Sequence, residues 1–439
     1  TTGGTNVAVG YNALTANTTA SGNTAVGYKC LEANTTGTSN VAFGYAAAFG
    51  ITTGTNNVAV GKNTLYNGNA SSNTAVGHSA LGWSSGANNT AVGANAAEGT
   101  TSGTNNTAIG KSALATNTTG GDNTAVGYNA LNDNTTGVDN VAFGAYALDE
   151  NTTATYNTAL GRSSMGTNTT GARNTGVGYM SLFANTTGSQ NTAVGTYALD
   201  ANTTADNNTA VGYAALSACT TGASNCIVGT FAGDAITTAT NNTALGHSAM
   251  SAVTTDGANT AVGTRALQIA TAEDNTCIGY QAGDSITTGD NNICIGHSSD
   301  TTGATASQQI TLGNSSNDIL RCQVTSITAL SDGRDKTDII DLPLGLDFLN
   351  TIRPVKFTWK HREPVESKDG TSKAGFIAQE LDKAQKDAGV ADYMKLVLDD
   401  NPDKLEASAG HLLPVMVQAI KELSAKNEAL EARLAALES

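Results

Sequence analysis

The sequence predicts a mostly β protein: a trimeric stacked β-roll or β-solenoid of 17-residue repeats, followed by an α+β domain that ends in a coiled-coil helix. Three observations predict it. The string Asn-Thr-Ala-Val-Gly recurs at near-constant spacing through residues 1–313. That stretch is dominated by Thr, Asn, Ala and Gly, and the whole chain is only 5% aromatic and 13% charged. Such a segment cannot build a core from large side chains, so an ordered fold requires stacking of repeats. Beyond residue 330 the charge density rises sharply, and apolar residues at steps of three and four run to the end of the chain.

The glycines that close the repeated string begin at Gly10, Gly27, Gly44 and Gly61 and end at Gly313, spaced by 17 residues with 16 on three occasions. The residue four before the glycine is Asn in 18 of 19 copies, Gln309 being the exception. A Tyr-x-Ala-Leu pattern follows (Tyr11, Ala13, Leu14), then an Asn-Thr-Thr turn (Asn17, Thr18, Thr19). Alternate residues of a strand share a face, so Thr and Val point one way and Ala and Gly the other. The glycine column predicts a bend or a corner at positive φ. The Asn column predicts a hydrogen-bonded ladder down the axis, and Asn-Thr-Thr supplies turn chemistry at the opposite corner. One coil is unstable alone. Coils stacked about 4.8 Å apart share a core and give a rod of roughly 85 Å.

The Asn-x-Ala-Val-Gly strand resembles the left-handed β-roll heads of trimeric autotransporter adhesins over about residues 5–313. Three roles for the repeats are open: a stiff shaft, a receptor-binding head, or ice or glycan binding by the Thr doublets (Thr18/Thr19, Thr35/Thr36, Thr118/Thr119).

Net charge is −15 with no basic stripe, which argues against nucleic acid and anionic membranes as partners. No apolar run approaches 18 residues, so no membrane insertion is expected. The chain opens at Thr1 without Met, which predicts an excerpt or a processed product. The six cysteines show no CxxC and no metal-ligand spacing. Cys277 and Cys294 stand in an Ala column and Cys30 in another, so they are expected to be free buried thiols, with no metal and no cofactor. Free thiols suit assembly in a reducing cytoplasm.

The period stops at residue 314. Residues 314–330 read as a β connector, and 331–439 as a separate α+β domain. That domain opens Ser331-Asp332-Gly333-Arg334-Asp335-Lys336. A serine five residues before a lysine is a candidate Ser–Lys dyad, although a polar turn is the plainer reading of the hexapeptide alone. Lysine acts as a base only when neutral, which needs burial or nearby positive charge; Arg334 is close enough in sequence to contribute. At the C-terminus Leu413, Met416, Ile420, Leu423, Asn427, Leu430, Leu434 and Leu437 form an a/d seam over a helix at 410–439. Asn427, its one polar member, would fix register or oligomer number. The alternative is an amphipathic helix lying on its own domain.

Ser-Asp-x-Arg-x-Lys resembles the start of the C-terminal intramolecular chaperone of phage endosialidases, tailspikes and tail fibres. Further matches follow in order: Ile339, Leu349-x-x-Ile352-Arg353-Pro354-x-x-Phe357-x-Trp359, Gly375-Phe376-Ile377-Ala378-Gln379-Glu380-Leu381, and Ala419-Ile420-Lys421-Glu422-Leu423. The resemblance implies self-cleavage at the Leu330–Ser331 bond, with Ser331 as nucleophile and Lys336 as base, in a single turnover with no external substrate. Arg334, Gln379 and Glu380 are candidates to support the dyad. Phe357, Trp359 and Phe376 are expected in the core. The resemblance further implies a homotrimeric phage tail fibre for host attachment, assembled in the bacterial cytoplasm and carried on the virion. Its expected partners are a host receptor, either a glycan or an outer-membrane component, and other tail proteins. Rival readings are a bacterial trimeric surface adhesin and a polysaccharide-degrading tailspike, which would need paired carboxylates.

Overall fold

Each repeat winds one coil because its columns satisfy different demands when stacked. In the computed structural model, which describes residues 2–317, 334, 336–358, 372–398 and 405–438, the chain divides into two compact units, Thr1–Asn317 and Asp318–Ser439. The first unit carries nineteen three-residue strands, from β1 (Val7–Val9) to β19 (Ile310–Leu312). Each strand pairs in parallel with the same strand of the next coil: Val7 with Thr24, Ala8 with Ala25, Val9 with Val26, and so on to Ile295 with Leu312. The central Ala of the strands faces inward and is fully buried, as at Ala25, Ala42, Ala59 and Ala75. The flanking Thr and Val face out. The fold is therefore the predicted parallel β-solenoid.

The glycine column meets both expectations at once. Gly127 has φ +138°, and a Cβ there would stand 2.5 Å from the carbonyl oxygen of Gly144 in the next coil. Only glycine combines that conformation with that approach.

Three columns of each coil adopt left-handed backbone on ordinary residues: two just after the glycine, for example Asn129 and Leu131 (φ 54° each), and one just before the ladder asparagine, for example Asp122 (φ 60°). Periodicity gave no sign of this. A left-handed non-glycine residue costs about 1–2 kcal/mol. Full burial of a leucine contributes about 1.5–3 kcal/mol, and Leu31, Leu81, Leu114 and Leu131 are fully buried. Burial therefore offsets the strain, and the sharp turn aims each leucine into the stack.

Two asparagine ladders run through the interior, where the repeat predicted one. In the first, the Asn40 N–H donates to Asn23 Oδ1 at 2.9 Å, and Asn23 Nδ2 donates to the Gly37 carbonyl at 2.9 Å. In the second, Asn134 Nδ2 donates to Asn117 Oδ1 at 2.9 Å and Asn151 Nδ2 to Asn134 Oδ1 at 2.8 Å. The second ladder ends where the column changes residue. Asn34 and Asn202 keep unpartnered Oδ1 atoms because Ile51 and Cys219 occupy the next positions, and Asn17 Oδ1 is unpartnered because Asn34 Nδ2 donates to the Gly37 carbonyl. An unpaired buried amide costs about 1–3 kcal/mol, so each intact rung penalises a slipped coil.

Cys30, Cys219, Cys277 and Cys294 are free and buried. Cys226 is free but exposed, because it occupies the outward Thr position opposite Thr209. Cys322 lies outside the described residues.

Burial, Asp133 and Glu150 push the Asp149 carboxyl up to about 6. Burial raises Asp200, Asp234 and Asp284 in the same direction. The folded solenoid therefore binds protons more tightly than the unfolded chain. The stabilisation from Asp149 is complete below the ordinary carboxylate range and is lost as pH rises through about 6. Melting followed by circular dichroism should show a higher midpoint at pH 5 than at pH 7.5, and Asp149→Asn should shrink the difference. An unchanged pH dependence in that variant would contradict the assignment.

In the second unit, helix α1 (Leu346–Leu349), strands β20 (Val355–Thr358) and β21 (Ser372–Gly375), helices α2 (Ala378–Asp387) and α3 (Ala391–Met394), a short β22–β23 pair (Val397–Leu398 with Glu406–Ala407) and helix α4 (Leu413–Glu438) follow in order. Leu344, Phe348, Leu381, Met394, Leu396 and Val415 form the centre of its core. Glu422 of α4 accepts the Leu346 N–H at 2.9 Å and so caps α1 with a carboxylate. Gly345 leaves room for it: a Cβ there would meet Glu422 Oε1 at 2.0 Å.

Candidate self-processing and assembly site

The motif segments that are separate in sequence are joined in the second unit. Strand β20 carries Phe357 and pairs antiparallel with β21, Val355 opposite Gly375. The Phe357 ring packs over Gly375, whose hypothetical Cβ would stand 3.1 Å from Phe357 Cε1. Phe357 and Phe376 are half-buried, and Phe376 packs against the core cluster. Trp359 lies outside the described residues.

Arg353 and Glu380, from two different motif segments, form a two-pronged ion pair. Arg353 Nε donates to Glu380 Oε2 at 3.0 Å, and Nη2 pairs with Oε1. The guanidinium beside it holds the Glu380 carboxyl below its ordinary value. Both side chains are well exposed, so the pair contributes little to stability and mainly fixes where α2 begins relative to β20. Arg353 stood in the sequence as part of a motif, but nothing in its spacing pointed to Glu380. Gln379 is exposed.

Of the dyad region, Arg334 and Lys336 are described and both are solvent-exposed in the single chain. Ser331, Leu330 and Asp335 lie outside the described residues. Among the described residues no group of three or more His, Cys, Asp or Glu comes together to hold a metal. No helix among them is long and apolar enough to cross a membrane.

Helix α4 has two faces. Val415 and Ala419 are buried against the unit's own core. The a/d residues point elsewhere: Leu413, Met416, Ile420, Leu423, Leu430, Leu434 and Leu437 are all exposed, Ile420 by 65% and Leu437 by 84%. Asn427 is exposed with them. Over its 26 residues the helix extends about 39 Å, and beyond Glu422 all of it is exposed.

Residues 331–390 match the family model described as chaperone of endosialidase. The chain carries an endosialidase chaperone domain. The match begins at Ser331 and spans the Arg353–Glu380 pair, the β20–β21 hairpin and α2. No curated protein matches the chain. A chaperone domain placed after a long β-solenoid is the arrangement of a tail-fibre-like or tailspike-like protein, and this chaperone family is associated with trimeric phage tail proteins.

Proposed function

We propose that the protein is a phage tail fibre for host attachment, and that its chaperone domain brings three copies into register and then removes itself by cleavage of the Leu330–Ser331 bond. The observation that carries this reading is the exposed seam of α4 on a domain of the endosialidase chaperone family. A lone helix with seven exposed large apolar side chains on one seam is poorly hydrated, and two matching helices cover it. The solenoid explains the need. Its coils are nearly identical, so three chains can pair many coils out of step at little energetic difference. A C-terminal clasp aligns them at one end, and assembly proceeds away from it. The outward strand face also suits packing between copies, since Phe43, Phe143, Leu160 and Leu245 are about half exposed.

The cleavage chemistry follows from the dyad. The Ser331 hydroxyl attacks the Leu330 carbonyl carbon and its proton passes to a neutral Lys336. The peptide C–N bond breaks, the proton goes to the departing Ser331 amine, and the resulting ester is hydrolysed by water. Lys336 is exposed in the single chain, and burial by neighbouring copies, with the positive charge of Arg334, would make it a base. Cleavage is then a consequence of assembly, and a misassembled chain keeps its chaperone.

The test separates assembly from chemistry. Ile420→Asp with Leu423→Asp places two charges in the seam. Light scattering should find no trimer, and a denaturing gel should show one intact band. Efficient cleavage by this monomeric variant would overturn the coupling. A trimer that persists would remove the seam as the clasp.

A further inference from the structure

We propose that residues 28–98 form a binding groove for a saccharide that carries a carboxylate. Two surface columns make its walls. On one side Tyr28 and Tyr45 stack with ring centroids 4.9 Å apart, and Lys62 continues the column with its Nζ 5.9 Å over the Tyr45 ring. On the other side Phe49 and Tyr66 stack at 5.1 Å, and Trp83 meets Tyr66 edge-on at 6.4 Å. The floor is made of small residues, Ala46 and Ser79, only 3% and 8% exposed, while the wall residues Tyr45 and Trp83 are 53% and 54% exposed. The cleft encloses about 580 Å³.

The second wall is not a requirement of the coil. The position of Phe49 and Tyr66 is Asn132, Asp149, Gly166 and Asp200 in later repeats, with a lone Phe183 among them, and those coils stack equally well. Phe49 and Tyr66 are partly buried by stacking on each other, and Trp83 of this wall stands half in water. The stacked rings cover one another's faces, so the indole of Trp83, which is half exposed and not stacked face to face, is the ring that suits the polarised C–H face of a pyranose. Charge narrows the class. Lys29 and Lys62 are the only lysine or arginine side chains in residues 1–98, within a chain of net charge −15. The lining carries two ammonium groups and one carboxylate, Glu98; Lys29 is held by Glu32 at 3.2 Å, whereas Lys62 forms no ion pair among the described residues and stands on the groove wall. An ammonium beside aromatic faces favours a sugar acid over a neutral sugar. Asn63 and Ser79 offer an amide and a hydroxyl to sugar hydroxyls.

This deepens the attachment reading and rests on it only for the cellular role of the glycan. The experiment uses the full assembled chain on a panel of immobilised oligosaccharides containing hexuronates or nonulosonates, each beside its carboxyl-reduced form. The expected result is retention on at least one acidic glycan, with the reduced form bound about tenfold more weakly or worse. Lys62→Gln should lose about tenfold with unchanged melting, Tyr66→Ala should lose about as much with a lower melting midpoint, and Lys111→Gln should bind normally. Retention on no acidic glycan, equal retention of the reduced forms, or wild-type binding by Lys62→Gln overturns the groove. Shielding of Trp83 from acrylamide in the assembled protein, read against Trp83→Phe, also overturns it. Adsorption to host cells distinguishes the two readings. Glycan retention without adsorption upholds the groove and removes attachment, while adsorption indifferent to Lys62→Gln keeps attachment and removes the groove.

Discussion

A Gly127→Ala chain should lose the stacking of its central coils. The new Cβ would stand 2.5 Å from the carbonyl oxygen and 2.6 Å from the carbonyl carbon of Gly144, and the residue would hold φ +138°, which L side chains rarely adopt. Neither side can yield. The Gly127 N–H donates to the Ile109 carbonyl at 2.8 Å, and the Gly144 N–H to the Val126 carbonyl at 2.8 Å, so a shift that relieves the clash breaks bonds between coils. The strained φ alone costs about 1–3 kcal/mol, and the clash adds to it. The expected loss exceeds about 3 kcal/mol, placing it among the most damaging single substitutions. Thermal melting should fall by many degrees, and limited proteolysis should open the chain near residue 127. Gly303→Ala is the control: nothing lies within 4 Å of a Cβ there, and its effect should stay within about 0.5 kcal/mol. Equal melting of the two variants would mean that the coils do not approach as closely as described.

A Ser331→Ala chain should assemble normally and remain whole. With Ser331 as the proposed nucleophile, its removal costs roughly a millionfold in rate, so no fragment near 330 residues should form during expression. The trimer should be retained, because the seam of α4 and the β-solenoid are untouched. Lys336→Arg should also stay intact, since a guanidinium does not deprotonate and cannot serve as base. Denaturing gels read cleavage, and scattering reads assembly. Continued cleavage in Ser331→Ala would remove that residue as nucleophile, and an aggregated product would show that folding and cleavage are not separable. The cleaved fibre should unfold at a higher temperature and fail to refold, whereas the uncleaved variant should refold with its clasp attached.

How far the fold could be read from residue types alone follows from where each signal arises. The period was legible because glycine and the asparagine four residues before it are each required once per coil for local reasons, a positive φ at Gly127 and a buried amide rung at Asn123. The inward alanines were legible because a strand alternates. The left-handed leucines were not. Leu131 looks like any helix-friendly residue until its burial against the stack shows what offsets its backbone. The ion pair of Arg353 with Glu380 was hidden because 27 residues separate them, and only the β20–β21 hairpin returns one to the other. The groove was hidden for a related reason. Tyr45 and Phe49 lie in different columns of one coil, and the wall each belongs to appears only when successive coils stack Tyr28 on Tyr45 and Phe49 on Tyr66.

The sequence by itself determined the coil: its 17-residue length, its corners, which side of each strand is buried, and the chaperone segment after it. Only the tertiary structure decided which residues bear the strain, how buried amides satisfy one another, and which side chains stand side by side on the surface. Local conformation depends on neighbours in the chain and is written there. Adjacency between coils depends on a translation of about 4.8 Å that no single repeat contains.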